Sequence, residues 1–207
     1  MSSHIMLVFL GTFFFVSLTP GMCMTLSMTL GMTIGVKRTL WMMVGELIGV
    51  GTVAVAAVVG VAAIMFNYPL VFHILKYVGG AYLIYLGYQM WQARSKLTIA
   101  LPNKQSCAAR SRKTLALQGW VTAIANPKGW AFMVSLLPPF IDANAPVAPQ
   151  LSILVALILC TEFTCLMLYA SGGKTLGQYL AHSGNLKWLN RISGSLMALV
   201  GVWLAFS

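Results

Sequence analysis

Residues 39–66 read TLWMMVGELIGVGTVAVAAVVGVAAIMF, and Glu46 is the one charged residue in this run. About 20 apolar residues cross a bilayer as a helix, so the run predicts a transmembrane helix. Five similar blocks flank it, and helices satisfy their own backbone groups within a membrane. The sequence therefore predicts an all-α membrane protein, with residues 1–207 forming a single transmembrane domain of six helices. These helices are predicted over about residues 5–34, 39–66, 70–91, 118–141, 151–170 and 189–206.

Composition excludes most other classes of protein. The chain is 59% hydrophobic and 8% charged, whereas a soluble domain is about one quarter charged. The sequence shows no glycine-rich phosphate loop, no histidine cluster and no nucleophile elbow, and its four cysteines lack metal-site spacing. We therefore predict neither an enzyme nor a cofactor or metal site.

Lys76 and Lys128 lie within apolar blocks, and the other basic residues behind the net charge of +10 lie between the blocks or at their ends. They follow helices 1, 3 and 5, whereas the loops after helices 2 and 4 contain no Lys or Arg. Because cytoplasmic loops are enriched in Lys and Arg, this distribution orients membrane helices and does not predict a nucleic-acid partner. We predict a cytoplasmic loop over residues 92–117 and periplasmic termini in a bacterial inner membrane.

Two proline motifs occupy corresponding places in the two halves of the chain. Thr19-Pro20-Gly21 lies near the middle of helix 1, and Asn126-Pro127-Lys128-Gly129 lies in helix 4. Proline lacks an amide hydrogen, so Pro20 and Pro127 leave the carbonyls four residues earlier without a helical partner. Broken helices bind ions and substrate headgroups in transporters, so both motifs are candidates for the site. The alternative is that each proline produces only a packing kink.

Matching glycines support an internal repeat. Gly80 and Gly87 in helix 3 have the same seven-residue spacing as Gly194 and Gly201 in helix 6. Each half has three helices, an odd number, so the second half enters the membrane in the opposite sense. We therefore predict two inverted three-helix repeats with proline-broken helices 1 and 4, an arrangement common in secondary transporters.

Three ionisable residues within the predicted helices are candidates for the chemistry of transport. Glu162 lies near the middle of helix 5, where a carboxylate predicts a proton carrier or a binder of an amino group. Glu46 lies nearer the cytoplasmic end of helix 2, and the alternative for it is a side chain that only reaches the interface. Lys128 lies too deep to reach the interface easily, so we expect a partner: a glutamate or a substrate carboxylate. A purely structural ion pair is the alternative for Lys128.

At these motifs the sequence resembles the lysine exporter and RhtB family of amino-acid efflux proteins. The resemblance covers nearly the whole chain and is closest to the branch that exports homoserine, homoserine lactone and threonine. The motifs that carry it are Ser17-Leu18-Thr19-Pro20-Gly21, Gly80-Ala81-Tyr82-Leu83-Ile84-Tyr85-Leu86-Gly87, Asn126-Pro127-Lys128, Pro139-Phe140-Ile141 and Leu189-Asn190-Arg191-Ile192-Ser193-Gly194-Ser195-Leu196.

The resemblance implies export of amino acids driven by the proton gradient, with an acid such as Glu162 in helix 5. Two positions depart from the family pattern. Met22 follows Gly21 where many members have a second proline, and Val50 replaces an acid that some members carry, with Glu46 one turn earlier.

We therefore predict a proton-coupled secondary exporter of small amino acids or their derivatives, surrounded by membrane lipid. A membrane-embedded scaffold or accessory subunit is one alternative, and a small-solute channel is another. Gly31 and Gly35, like Gly45 and Gly49, permit close helix contact within one subunit or between two, which leaves a homo-oligomer open.

Overall fold

The computed structural model describes residues 3–67, 69–92, 110–137, 140–141, 145–181 and 183–206. The described part of the chain forms eight helices and no strands. They are α1 (Ser3–Leu18), α2 (Met22–Ile34), α3 (Val36–Asn67), α4 (Pro69–Gln92), α5 (Arg112–Ile124), α6 (Pro127–Leu136), α7 (Val147–Ala181) and α8 (Ser183–Phe206). The all-α prediction is confirmed.

Length and apolar composition allow two of these helices to cross a membrane. They are α3 over Val36–Gly60 and α7 over Val147–Gly173, with mean hydropathies of 2.1 and 2.3. Phe9–Leu18 and Met22–Ile34, which are joined by a 55° bend, pass the same test together as one broken span. Many large apolar side chains are exposed on the outside of the bundle, as expected for a surface in contact with lipid.

Both proline motifs interrupt their helices. Residues 19–21 separate α1 from α2, and Ala125 with Asn126 separates α5 from α6. Pro127 is the first residue of α6, a position that needs no amide hydrogen. The predicted helices 1 and 4 are therefore each two shorter helices.

Several helices extend beyond the predicted apolar blocks. Helix α5 begins at Arg112, six residues before the predicted start, because the Ser111 side chain accepts a hydrogen bond from the Thr114 amide and caps it. Helix α7 runs beyond residue 170 to Ala181, with a kink at Gly173 (φ 36°). Hydropathy marks the bilayer core, whereas capping and packing set the helix ends. Residues 93–109 of the predicted 92–117 loop lie outside the described residues.

The most extensive helix contact joins α4 to α8. A Cβ atom added to Gly87 would lie 2.5 Å from the Gly194 carbonyl oxygen, and one added to Gly201 would lie 2.6 Å from that of Gly80. The two helices therefore run antiparallel, with the two glycine motifs facing each other. Only glycine permits backbones to approach so closely.

The next most extensive contacts join α3 to α5 and α2 to α7. Gly45 and Gly49 of α3 lie against the backbone of α5, and Gly31 of α2 lies against Ala170 of α7. These glycines thus serve packing within one subunit.

Basic residues gather at one end of the bundle. Arg38 Nη2 donates to the Arg110 carbonyl oxygen at 2.7 Å. The Arg112 guanidinium lies over the Trp41 ring at 5.4 Å. This end contains the start of α3 and of α5.

Two buried clusters fill the bundle. One contains Phe9, Phe13 and Phe132 and lies away from the basic end. The other contains Met28, Met42 and Leu115 and lies toward it. A cavity lined by residues of both clusters lies where they meet.

Candidate functional site

The cavity has a volume of about 50 Å³, roughly the space of four water-sized spheres. Helices α1, α2, α3, α5, α6 and α7 and both helix breaks contribute to its walls. Six of the eight residues predicted for the site line it: Thr19, Gly21, Glu46, Asn126, Lys128 and Glu162. The other two, Pro20 and Pro127, lie at the breaks that these residues flank.

The break in helix 1 frees the Val16 carbonyl, as the proline predicted. This carbonyl accepts a 2.7 Å hydrogen bond from Lys128 Nζ and a 3.2 Å hydrogen bond from the Thr19 amide. Among the residues that the structure describes, no ion pair joins Lys128 to Glu46 or Glu162. The partner of Lys128 is therefore a backbone carbonyl, an acceptor that the sequence analysis did not consider.

Two further carbonyls at this break find partners in the second half of the chain. The Thr19 and Ser193 hydroxyls lie 2.6 Å apart, and each lies 2.9 Å from the Phe15 carbonyl oxygen. The Tyr169 hydroxyl donates to the Leu18 carbonyl oxygen at 2.7 Å. Helices α6, α7 and α8 thus all contact the end of α1 through hydrogen bonds.

The second break is capped locally. Asn126 Oδ1 accepts a hydrogen bond from the Lys128 amide at 3.2 Å, which satisfies one amide at the start of α6. The Ala123 carbonyl that Pro127 frees accepts the Asn126 amide at 3.2 Å. In contrast, the residue before α2 is Gly21, which has no side chain to cap that helix.

Glu162 is partly buried on α7 and has a specific partner. Its Oε1 accepts a 2.8 Å hydrogen bond from the Ser17 hydroxyl of α1. This contact fixes one carboxyl oxygen at the cavity wall, close to the broken end of α1.

Glu46 is 1% exposed, and its Oε2 is a buried atom without a hydrogen-bond partner among the described residues. Its carboxyl lies beside the Cys23 thiol of α2. The alternative that Glu46 only reaches the membrane interface is wrong. The side chain lies in the cavity wall, while the Glu46 backbone packs against α5, where a Cβ on Gly119 would lie 2.8 Å from the Glu46 amide nitrogen.

Sequence reasoning missed four polar residues of this region, namely Ser17, Cys23, Tyr169 and Ser193. Ser17 and Ser193 lie inside the motifs quoted above, so they were visible as candidates. Hydroxyl and thiol side chains are common in membrane helices, and the sequence alone does not indicate which of them face inward.

Comparison with known proteins gives consistent results over nearly the whole chain. The family model of the LysE type translocators matches residues 14–207. An "Uncharacterized membrane protein" of Vibrio cholerae is 30% identical over 206 residues, which covers 99% of this chain and 98% of that protein.

Two relatives have names that state an activity. The "Homoserine/homoserine lactone efflux protein" of Salmonella typhimurium is 29% identical, covering 92% of this chain and 90% of that protein. The "Leucine efflux protein" of Klebsiella pneumoniae is 29% identical, covering 92% and 88%. No solved structure matches the chain. The match of the family model from residue 14 to the C-terminus shows that this chain belongs to the LysE type translocator family.

Proposed function

We propose that the chain is a secondary transporter that exports small amino acids or their derivatives from the cytoplasm, coupled to protons. One observation carries the proposal: Glu46, Glu162 and Lys128 face one cavity between two broken helices. Charged groups inside a membrane protein are expensive and mark solute or proton pathways. The relatives named for homoserine and leucine efflux support an amino-acid substrate.

The size of the cavity supports a small substrate. Its volume of about 50 Å³ is comparable with the five heavy atoms of the amino and carboxyl groups and the α-carbon. A bulky side chain would displace lining atoms such as those of Phe13 and Phe132, which touch each other at a ring separation of 5.3 Å. Threonine and homoserine also exceed this volume, but their small side chains require less displacement of the lining than an aromatic side chain does.

The proposed architecture is six membrane spans in two inverted halves, in a bacterial inner membrane. The antiparallel pairing of Gly87 with Gly194 and of Gly80 with Gly201 supports it. An inverted repeat that takes Gly80 to Gly194 and Gly87 to Gly201 takes each of these contacts into the other. Helix α3 contacts both α5 and α6, and α7 contacts both α1 and α2, as expected if the same operation relates helices 2 and 4 to helices 5 and 1. The basic end is the cytoplasmic one, with both termini periplasmic.

Glu162 is the proposed coupling residue. A carboxyl at this depth is neutral when isolated and charged when a cation lies close to it. The ammonium group of a substrate in the cavity therefore favours the deprotonated Glu162, so binding of the substrate and binding of the proton oppose each other. After the substrate leaves outside, the carboxyl takes up a proton there, and it releases that proton to the cytoplasm when the next substrate binds.

Two other functions predict different behaviour. A scaffold or accessory subunit would use the acids as structural ion pairs, yet Lys128 donates to a carbonyl and Glu162 accepts from a serine. A channel would conduct its solute without proton coupling. Membership of a translocator family also favours transport over the structural role.

Efflux from proteoliposomes tests the proposal. Vesicles preloaded with labelled L-threonine, L-homoserine or L-leucine receive an imposed pH gradient, with and without a protonophore. We expect release that the gradient accelerates and the protonophore abolishes. Release that ignores the gradient would indicate a channel, and absence of release of all three solutes would indicate the scaffold.

A further inference from the structure

We propose that the cavity recognises its substrate by both charged ends, with the ammonium group on Glu46 and the carboxylate on the uncapped first turn of α2 beside Lys128. The inference rests on the proposed function and deepens it. It assigns different roles to the two acids: Glu46 binds the amino group of the substrate, and Glu162 carries the proton.

Glu46 is the acceptor of the ammonium subsite. Burial without a donor is unfavourable for an acceptor, and among the described residues Glu46 Oε2 has no donor, in a residue that is 1% exposed. Glu162, in contrast, already accepts a 2.8 Å hydrogen bond from Ser17. A primary ammonium group has three donors and would satisfy Oε2. The Oε2 atom without a donor therefore identifies Glu46, not Glu162, as the ammonium subsite.

The start of α2 provides the donors of the carboxylate subsite. Its 13 residues begin after Gly21, which provides no side-chain cap, so the amides of the first turn remain available to an acceptor. Helix N-termini attract anions through these amides and the helix dipole. Gly21, Cys23 and Met24 all line the cavity, so this turn faces the same space as Glu46. The start of α6 differs, because Asn126 already caps it.

Lys128 completes the carboxylate subsite. It lines the cavity, and its ammonium group has three donors, of which one binds the Val16 carbonyl. The remaining donors can bind one oxygen of a substrate carboxylate while the α2 amides bind the other. Cys23, in the first turn of α2, lies beside the Glu46 carboxyl. The two subsites therefore adjoin, as the adjacent charged groups of one α-amino acid require.

Binding of matched analogues to the purified wild-type protein tests the inference without relying on a variant. The probes are L-threonine, its methyl ester, which lacks the carboxylate, and 3-hydroxybutanoate, which lacks the amino group. We expect both analogues to bind at least about tenfold more weakly than threonine, because each loses one charged contact. If threonine and its methyl ester bind with equal affinity, the carboxylate subsite is contradicted. If threonine and 3-hydroxybutanoate bind with equal affinity, the ammonium subsite is contradicted.

Variants then assign the two ends. Glu46→Gln should remove the preference for threonine over 3-hydroxybutanoate, while the preference over the methyl ester persists. Gly21→Asp places a carboxylate at the start of α2, where it competes with the substrate carboxylate for the first-turn amides. This variant should therefore weaken threonine binding at least about tenfold. Gly21→Ala adds no acceptor, and its Cβ would meet only the Thr19 carbonyl oxygen at 3.9 Å, so its loss should be smaller. Asp142→Asn, which removes the third acid of the chain, is the control for Glu46→Gln.

Proteoliposome efflux separates this inference from the proposed function. Two-ended binding without gradient-driven efflux would contradict export and support the subsites. Gradient-driven efflux of threonine and its methyl ester at equal rates would support export and contradict the subsites. If Glu46→Gln does not fold, Glu46→Asp keeps the charge on a shorter side chain and should weaken both amine-containing probes equally. An unchanged affinity of that variant for both would count against Glu46.

Discussion

Lys128 Nζ lies 2.7 Å from the carbonyl oxygen of Val16, the backbone group that Pro20 deprives of its helical partner. This hydrogen bond joins the two proline-broken regions across the cavity, and Asn126 Nδ2 donates to Cys23 Sγ at 3.9 Å as a second link. The Lys128 side chain, at the second break, thus donates to the Val16 carbonyl that is freed at the first break. Pro20 thereby leaves the Val16 carbonyl to Lys128, and restoring the missing amide tests whether transport depends on this contact.

Pro20→Ala should impair transport while leaving the protein folded. The new amide competes with Lys128 for the Val16 carbonyl and favours a continuous helix, which displaces the ammonium group from its position. We expect efflux to fall by about tenfold or more with a melting temperature at least equal to wild type. The control is Pro146→Ala, which alters a proline just before α7. Wild-type efflux by Pro20→Ala would show that the break is only a kink.

Glu162→Gln should separate stability from coupling. The amide oxygen still accepts the 2.8 Å hydrogen bond from Ser17, and Lys128 keeps its carbonyl partner, so no buried charge is left alone. We expect a melting temperature near that of wild type and loss of proton-driven efflux. A structural ion pair predicts instead a loss of about 3–5 kcal/mol of stability. Asp142→Asn is the matched control, and near-normal coupling by Glu162→Gln would eliminate the proposed role.

Thr19 and Ser193 should act together on stability. Thr19→Val or Ser193→Ala alone leaves one hydroxyl on the Phe15 carbonyl, whereas the double variant leaves none. The double variant should therefore lose about 1–3 kcal/mol more than either single variant, the cost of an unpartnered buried carbonyl. Chemical unfolding in detergent measures these differences. Thr164→Val, which removes an exposed hydroxyl bonded within its own helix, should have little effect. A double variant as stable as the single ones would contradict the assigned partners.

Gly87→Val should destabilise the contact between α4 and α8. Its Cβ would lie 2.5 Å from the Gly194 carbonyl oxygen, and overpacking of this kind costs about 1–3 kcal/mol. Gly60→Val is the control, since a Cβ there meets nothing within 4 Å. Thermal unfolding of both variants gives the comparison, and equal melting temperatures would refute the close approach.

A reporter fused after Ser207 tests the orientation. The basic residues predict a periplasmic C-terminus, so alkaline phosphatase at this position should be active and a cytoplasm-dependent fluorescent protein should not. The same reporters inserted after Cys107, in the predicted cytoplasmic loop, should give the opposite pattern. Activity of the Ser207 fusion only in the cytoplasm would reverse the proposed topology.

Much of the fold could be predicted because hydropathy and proline act locally. Apolar blocks located the helices, and Pro20 and Pro127 located both breaks. The predicted helix ends were less accurate, because an apolar block marks only the part of a helix inside the bilayer core. Ser111, for example, caps a helix that begins among basic residues.

The partners within the site could not be predicted from local patterns. Pro20 indicated a free carbonyl at Val16, and Lys128 indicated a need for an acceptor, but the two lie 112 residues apart. Only the packed bundle brings them together. Similarly, Glu46 is buried because α3 packs against other helices of the bundle, which a sequence position near a helix end does not reveal.

The packing between halves also has a consequence for the order of synthesis. The three most extensive helix contacts, α4 with α8, α3 with α5 and α2 with α7, each join a helix that precedes residue 93 to one that follows residue 109. While the ribosome is still making the first half, the glycine faces of α3 and α4 therefore have only lipid beside them. Membrane helices can insert individually before they associate, so assembly of this protein must wait until the second half has entered the bilayer. A nascent chain stopped before α5 should be inserted yet remain unassembled and open to proteolysis.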